Sequence, residues 1–564
     1  MCSMTGETRL TKSSWIVVLV LICGFVLRFT GVWFGLPGLY HADEPIIVNH
    51  ALAYGSGDLN PHFFNIPPLI SYLLFLAYGI YYLLGQVFGV FASPNDFVSL
   101  FVLDPSSFYL IARILFGVLI GTVTLYLLYR LAKNFFSAKH ALLSATLLAF
   151  NFLHVRDSHY IYADIPLVAV LVLSFFPILV LADRFLFLAY IWFGVLIGIA
   201  AAIKYNGILV VIPFLAIHFI KHRARLIPLI SAFLISIATY FICNPYSLLD
   251  FRFFLSELSE QGKSTSFMGF FHHLSYSASE GIGWLVLVCS LIGMAQSIFR
   301  RQLKLGLLSI FVLSYYAVLC FKSQPYDRYI LPLVPFALLL ASEGLLTFKN
   351  WFKLNQISYM VLIGALIFPS MVKVVGLDLM LLRKDTRTVA REWIETFVPS
   401  GSKVALDSPF YLPPLKPTLE QLEQKNSELE GANYSGVQRL RLEALMKQAA
   451  QYPDGRYELY FLKRIDNAPG FLFSKPEVPY DLAALKNLGI QYVVVGQSSR
   501  QENLFGQALK EHGDLVVRFT PYRDSSIQAS LDPNPLTGAP FLWKDLLERQ
   551  RNGPIIFIYR IKNS

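Results

Sequence analysis

Two neighbouring carboxylates, Asp43 and Glu44, stand in Tyr40-His-Ala-Asp43-Glu44-Pro45, directly after the first long apolar stretch. A third, Asp164, stands in Tyr162-Ala-Asp164-Ile-Pro166 at the start of a later apolar run. His154, Arg156, Asp157 and His159 come just before it, Lys204 interrupts two further runs, and Tyr326-Asp327-Arg328-Tyr329 leads into another. Carboxylates and cations gathered at one membrane face make a specific chemistry available. The cations hold a phosphate carried on a lipid, and a carboxylate takes the proton from a nucleophile. Simpler roles exist for the same residues. Asp43 and Asp164 each stand two residues before a proline, where a helix N-cap is at home. Lys204 suits a snorkelling lysine at a span end, and Arg328 suits pairing with Asp327 or with lipid headgroups. His154 and His159 are five apart, unlike an i, i+4 metal pair, so no zinc site is expected. The five cysteines include no CxxC and none lies in the C-terminal region, which argues against a disulfide framework or a cysteine metal site.

The elements that position these residues are read from hydropathy. The 564 residues are 55% hydrophobic and 15% charged, with mean hydropathy +0.52. That is too apolar for a soluble domain and indicates a multi-span membrane protein in contact with the bilayer. The net charge of +10 lies in short basic clusters between apolar runs, so it indicates cytoplasmic loops and no nucleic-acid partner. The first run, residues 15–34, is read as an uncleaved span. Others follow at 66–92, 108–129, 141–155, 165–182, 186–203, 207–220, 226–242, 281–299, 305–321, 329–346 and 357–375.

Loop charge then tests this count. If residues 66–92 cross fully, Arg130/Lys133/Lys139 and the 221–225 cluster face outward, against the positive-inside rule. If this run lies at the interface or re-enters, every basic cluster is cytoplasmic. Its Ile66-Pro-Pro68 start and Tyr78, Tyr81 and Tyr82 suit an interfacial segment. About eleven spans result, with the N-terminus cytoplasmic and the C-terminus outside. The loop of residues 37–106, Asp164, Lys204 and Arg328 then share the outer face. From about residue 377 the composition turns polar. The segment 385–397 reads as an amphipathic helix, 403–407 as a strand, 481–488 as a helix and 489–496 as a buried strand, while 421–451 reads as helix broken near Gly431. Residues 377–564 are therefore expected to form a soluble α/β domain outside a membrane domain of residues 1–376. Asn433-Tyr-Ser435 matches a glycosylation sequon.

Asp43-Glu44 in the first outward loop, Arg156-Asp-Ser-His-Tyr-Ile-Tyr-Ala-Asp164-Ile-Pro166 and Asp327-Arg-Tyr-Ile-Leu-Pro332 together resemble the GT-C membrane glycosyltransferases. The resemblance is nearest to the dolichyl-phosphate-mannose protein mannosyltransferase and bacterial aminoarabinose transferase group. Asp385-Thr-Arg387-x-x-Ala-Arg-Glu-Trp393-Ile, followed by Val398-Pro-Ser-Gly401, resembles what bacterial members carry after their last span. The resemblance covers most of residues 1–400. It implies an inner-membrane enzyme that moves a sugar from a polyprenyl-phosphate donor to an acceptor hydroxyl on a protein, glycolipid or glycan, with inversion. It implies Asp43 as general base, Glu44 as its support and Asp164 as part of the same site. No cofactor or metal is expected, since a phosphate leaving group requires little assistance. The aminoarabinose transferase has a lysine before the proline of the interfacial segment, whereas Asn65-Ile66-Pro67-Pro68 has none. Phosphate binding then falls to Lys204 and Arg328, with Arg156, His159 and Tyr326 also at the substrate. Three other readings remain open: a transporter or flippase, an oligosaccharyl- or other polyprenyl-linked transferase, and a scaffold protein. Charges collected at one face and the lack of a visible internal repeat count against the transporter.

Overall fold

A computed structural model describes residues 12–261, 268–321, 326–407, 412–430, 436–462, 478–496, 504–527 and 543–562. The sequon at residues 433–435 lies outside them. Every apolar run expected from the sequence is met by helix, because a run facing lipid must satisfy its backbone groups internally. Among the described residues seven helical stretches have the length and hydropathy to cross a membrane, and Trp15–Phe29, Phe187–Ile203, Tyr205–Lys221 and Leu303–Leu319 are among the shorter apolar ones. Leu69–Val87, expected at the interface, has the length and hydropathy of a span. Boundaries differ in places from the hydropathy reading, most informatively at one run. The run 141–155 is helical as Ala138–Ala149 and then breaks, because the Asn151 side chain accepts the His154 N–H and starts a separate short helix, Phe152–Asp157.

By compactness the chain divides into two units. The first comprises residues 1–30, 60–70 and 113–376. Within it, helices approach through small residues. Gly194 and Gly198 on Phe187–Ile203 lie against Ala232, Ser236 and Thr239 of Leu226–Cys243, and a Cβ at Gly198 would stand 2.7 Å from the Ser236 carbonyl oxygen. Gly293 on Trp284–Phe299 and Gly344 on Val334–Trp351 meet the partner helix's backbone directly. Such small-xxx-small seams let van der Waals packing act between helices that gain nothing from hiding apolar surface in lipid. Arg28, fully buried in the first helix, satisfies its charge internally. Its guanidinium donates to the carbonyls of Gly24, Leu148 and Ala149 at 2.9–3.2 Å and lies 3.0 Å from His154 Nδ1. The end of Ala138–Ala149 and the short helix after it are thereby tied to the first helix.

The second unit comprises residues 31–59, 71–112 and 377–564. Its centre is a six-stranded sheet of β1 (Lys403–Leu406), β2 (Lys416–Pro417), β3 (Arg456–Phe461), β4 (Tyr492–Gly496), β5 (Gly513–Phe519) and β6 (Ile556–Ile561), in the order β2-β3-β1-β4-β6-β5. The pairs β2/β3, β3/β1 and β1/β4 are parallel, and β6 runs antiparallel to both β4 and β5. Central strands read as unbroken apolar runs because both faces are covered. Val404, Leu406, Val494, Ile556 and Ile558 pack with Ala390 and Ile394 of Thr386–Phe397. Ala405, Val493, Val495, Phe557 and Tyr559 pack with Leu482, Leu485, Phe505 and Leu509 on the other side. The expected helices and strands at 385–397, 403–407, 481–488 and 489–496 are all present, and Leu419–Glu430 and Gly436–Gln451 are helical; the break expected near Gly431 lies outside the described residues.

The same unit holds the expected interfacial region. Tyr81, Tyr82, Phe91, Phe97 and Phe108 form one aromatic cluster with ring centroids 4.8–6.1 Å apart. Ser93 and Asp96 make a reciprocal capping box that starts Pro94–Leu103.

Candidate active site

Asp164 organises the charged cluster of the first unit. It is the first residue of Asp164–Asp183 and makes no capping bond; Ala163 holds the N-cap position. Its carboxylate, 2% exposed, instead accepts from Lys204 Nζ at 2.6 Å and stands 4.0 Å from Arg328 Nε. Lys204 reaches it because the chain becomes extended at that residue, between Phe187–Ile203 and the 3-10 turn Tyr205–Val210. The turn is closed by the Gly207 N–H donating to the Lys204 carbonyl at 2.8 Å. Arg328 is carried on a second 3-10 turn, Asp327–Leu333. Aromatic rings wall both cations. Tyr162 lies 5.5 Å from Lys204 and 4.8 Å from Arg328, Tyr329 lies 5.2 Å from Lys204, and Tyr326 lies 4.8 Å from Arg328. The three charges Lys204, Arg328 and Asp164 leave a net of one positive charge over tyrosine faces, which a singly charged phosphate diester would neutralise.

A second layer supports this cluster. Arg156, 1% exposed, is wedged between two carboxylates: Nε donates to Asp157 and Nη1 to Asp327, each at 2.9 Å. The Tyr160 hydroxyl donates to the other Asp157 oxygen. Burial pushes the Asp157 carboxyl up and the Arg156 charge opposes it. His159 lies with Nδ1 2.9 Å from the Val155 carbonyl and Nε2 3.0 Å from the Thr30 carbonyl. Arg156 and His159, expected at the substrate, are therefore engaged by protein groups. Asp327 is engaged by Arg156, and the Arg328 guanidinium turns to Asp164. Lys204, expected at the donor phosphate with snorkelling as the simpler role, is 16% exposed in its side chain and ion-paired.

Asp43 and Glu44 lie in the second unit. Asp43 occupies the N-cap position of Glu44–Ala53 yet makes no side-chain cap, so capping does not account for it. It is half-buried, its own N–H donates to His41 Nδ1 at 3.3 Å, and Glu44 is fully buried. Sequence reading missed Tyr162 and Tyr329 as walls of the cluster, although Tyr162 stood two residues before Asp164. Among the described residues no three His, Cys, Asp or Glu side chains gather to hold a metal.

A family model described as dolichyl-phosphate-mannose-protein mannosyltransferase matches residues 106–248. Those residues include Arg156, His159, Asp164 and Lys204, and exclude Asp43 and Arg328. No curated protein matches the sequence. Among solved structures, ArnT from Cupriavidus metallidurans in the apo state is 12% identical, with 97% of this chain and 98% of that one covered and a TM-score of 0.51. The same ArnT bound to undecaprenyl phosphate is 13% identical, with 98% and 99% covered and a TM-score of 0.50. The chain has the fold of the GT-C membrane glycosyltransferases. An apo oligosaccharyltransferase from Archaeoglobus fulgidus is 12% identical, with 90% of this chain and 72% of that one covered and a TM-score of 0.49. The resemblance drawn from the motifs is thus met by a GT-C fold over the whole chain and by a family match over residues 106–248.

Proposed function

We propose that the protein is an integral membrane glycosyltransferase that moves a sugar from a polyprenyl-phosphate donor to an acceptor hydroxyl, by inverting single displacement. The observation that carries this reading is the convergence of Lys204 and Arg328 on Asp164 beneath three tyrosine rings, in a chain of GT-C fold. As the sugar leaves, the donor phosphate goes from one negative charge to two. A fixed pair of cations therefore stabilises the departing state more than the bound one, which is what raises a rate. Support also comes from the segment that lacks the lysine of the aminoarabinose transferase. The Tyr205 hydroxyl donates to the Phe64 carbonyl at 2.6 Å, which sets the Lys204 turn beside that segment. Lys204 and Arg328 hold the phosphate, Asp164 orients both, and Tyr162, Tyr326 and Tyr329 line the approach. Asp43 is the general base on the acceptor hydroxyl, and Glu44 supports it. No metal or cofactor takes part.

The orientation belongs to the same proposal. The N-terminus is cytoplasmic, residues 377–564 lie outside the plasma membrane, and Leu69–Val87 lies at the interface with its tyrosines. Its grouping with the sheet domain in one unit and its aromatic cluster support that placement. Transfer from a radiolabelled polyprenyl-phosphate sugar into membrane acceptors tests the chemistry. Asp43→Asn should lower kcat on the order of 10²–10⁴-fold, and Lys204→Gln should lower kcat and raise the donor KM. Transfer by Asp43→Asn at the wild-type rate removes the base assignment. A purified protein that moves no sugar from any such donor and instead carries a solute across vesicles favours the transporter reading.

A further inference from the structure

The motif Asp385-Thr-Arg387 belongs to neither the sheet core nor the charged cluster, yet its arginine is 2% exposed. Asp385 caps Thr386–Phe397 by accepting the Arg387 N–H at 2.9 Å. The same carboxylate clasps the guanidinium in a fork, Nε at 2.8 Å and Nη2 at 2.9 Å. Thr386 fastens this corner to the sheet. Its N–H donates to the Asn552 carbonyl at 3.0 Å and its hydroxyl to the Pro554 carbonyl at 2.8 Å, just before β6. The guanidinium plane is thus fixed before it meets anything else. It meets Tyr40: the Arg387 Cζ stands 3.9 Å from that ring's centroid, and the Tyr40 hydroxyl is 2.8 Å from Thr388 Oγ1. All of these groups lie within the second unit.

Tyr40 is three residues from Asp43, and the chain around it is shaped to its ring. A Cβ on Gly35 or on Gly38 would stand 2.8 Å and 2.5 Å from Tyr40 ring atoms. Leu39 carries φ 54°, a conformation a leucine keeps where its surroundings over-determine it. His41, fully buried, then receives the Asp43 N–H. We propose that Arg387 is a positioning residue for the Asp43 loop, acting through the Tyr40 ring, and that fixing this loop is a function of the C-terminal domain. A planar, forked cation suits this role, since one edge is taken by Asp385 and its face is left for the ring, which lysine cannot imitate. The inference rests on the reading of Asp43 as the base, since displacing a base by about 1 Å can cost on the order of 100-fold.

The test uses the full-length protein in nanodiscs, with donor kinetics and backbone hydrogen exchange over residues 39–46. Arg387→Ala and Arg387→Lys should each lower kcat about 10- to 100-fold with donor KM changed less than about two-fold, and exchange over 39–46 should quicken while β1, β4 and β6 stay protected. Tyr40→Leu and Gly38→Ala leave the Asp385–Arg387 clasp untouched and should give the same pattern, so a misfolded arginine variant does not stall the test. Unchanged kcat or unchanged exchange over 39–46 in a folded variant overturns the proposal. If Asp43→Asn transfers sugar at the wild-type rate, the base reading fails separately, and exchange over 39–46 decides by itself whether Arg387 positions the loop.

Discussion

At the residue scale, buried charge carries the sharpest consequences. Arg156 pairs with both Asp157 and Asp327 with little exposure to water. Replacing it with methionine leaves two buried carboxylates facing each other's field. The expected loss of stability is about 3–5 kcal/mol, read as a lower thermal midpoint in detergent, with Asp327 and its neighbour Arg328 displaced. Tyr40 gives a pH test. Burial first, then the Asp385 charge, pushes its phenol from the usual 10.0 to about 12. A folded-state value above the unfolded one means the contribution is complete below pH 10 and lost as pH rises towards 12. That contribution is on the order of 2 kcal/mol. Tyr40→Phe should therefore decline less than the wild type between pH 10 and 12 in thermal-shift measurements. The N-cap role open to both acids is also decided at this scale. Both acids lie at the start of a helix and neither caps it.

At the element scale, the seams between helices decide where the cluster sits. Phe187–Ile203 ends at Lys204, and its Gly194 and Gly198 set how closely it meets Leu226–Cys243. Gly198→Val would push that helix off its neighbour, at a cost of about 1–3 kcal/mol, and carry Lys204 away from Asp164. The expected result is a reduced thermal midpoint together with a raised donor KM. The 3-10 turns under Lys204 and Arg328 belong to the same logic. Each brings a cation to Asp164, and hydropathy registers them as gaps without saying where they point.

At the scale of the whole molecule, residues 31–59 and 71–112 group with residues 377–564, although more than 260 residues separate them in the chain. The Asp43 loop is thus a member of the unit that contains the sheet. Deleting residues 382–564 should abolish transfer and quicken exchange over 39–46. The proposed outward placement of the sheet is open to a direct check. A cysteine placed at the exposed Glu511 in a cysteine-free background should react with a membrane-impermeant maleimide from outside intact cells, and reaction after lysis alone would reverse the topology.

The sequence by itself determined the class of the molecule. Long apolar runs have one stable answer in a bilayer, so the helices from Leu69–Val87 to Gln356–Leu381 were legible, and so were the buried strands β1 and β4. The identity of the charged residues was legible too, because an unpaired charge at a span end is expensive enough to mark itself. What the charges do to one another was decided by the tertiary structure. Lys204, Arg328 and Asp164 lie 40 to 164 residues apart, and pattern along a chain carries no distance across it. Hence the protein partners of Arg156 and His159 came into view only in the fold, and of the tyrosines walling Lys204 and Arg328 the sequence pointed to Tyr326 alone. Arg387 was legible as part of a motif, and its meeting with Tyr40 arises from packing between segments more than 340 residues apart.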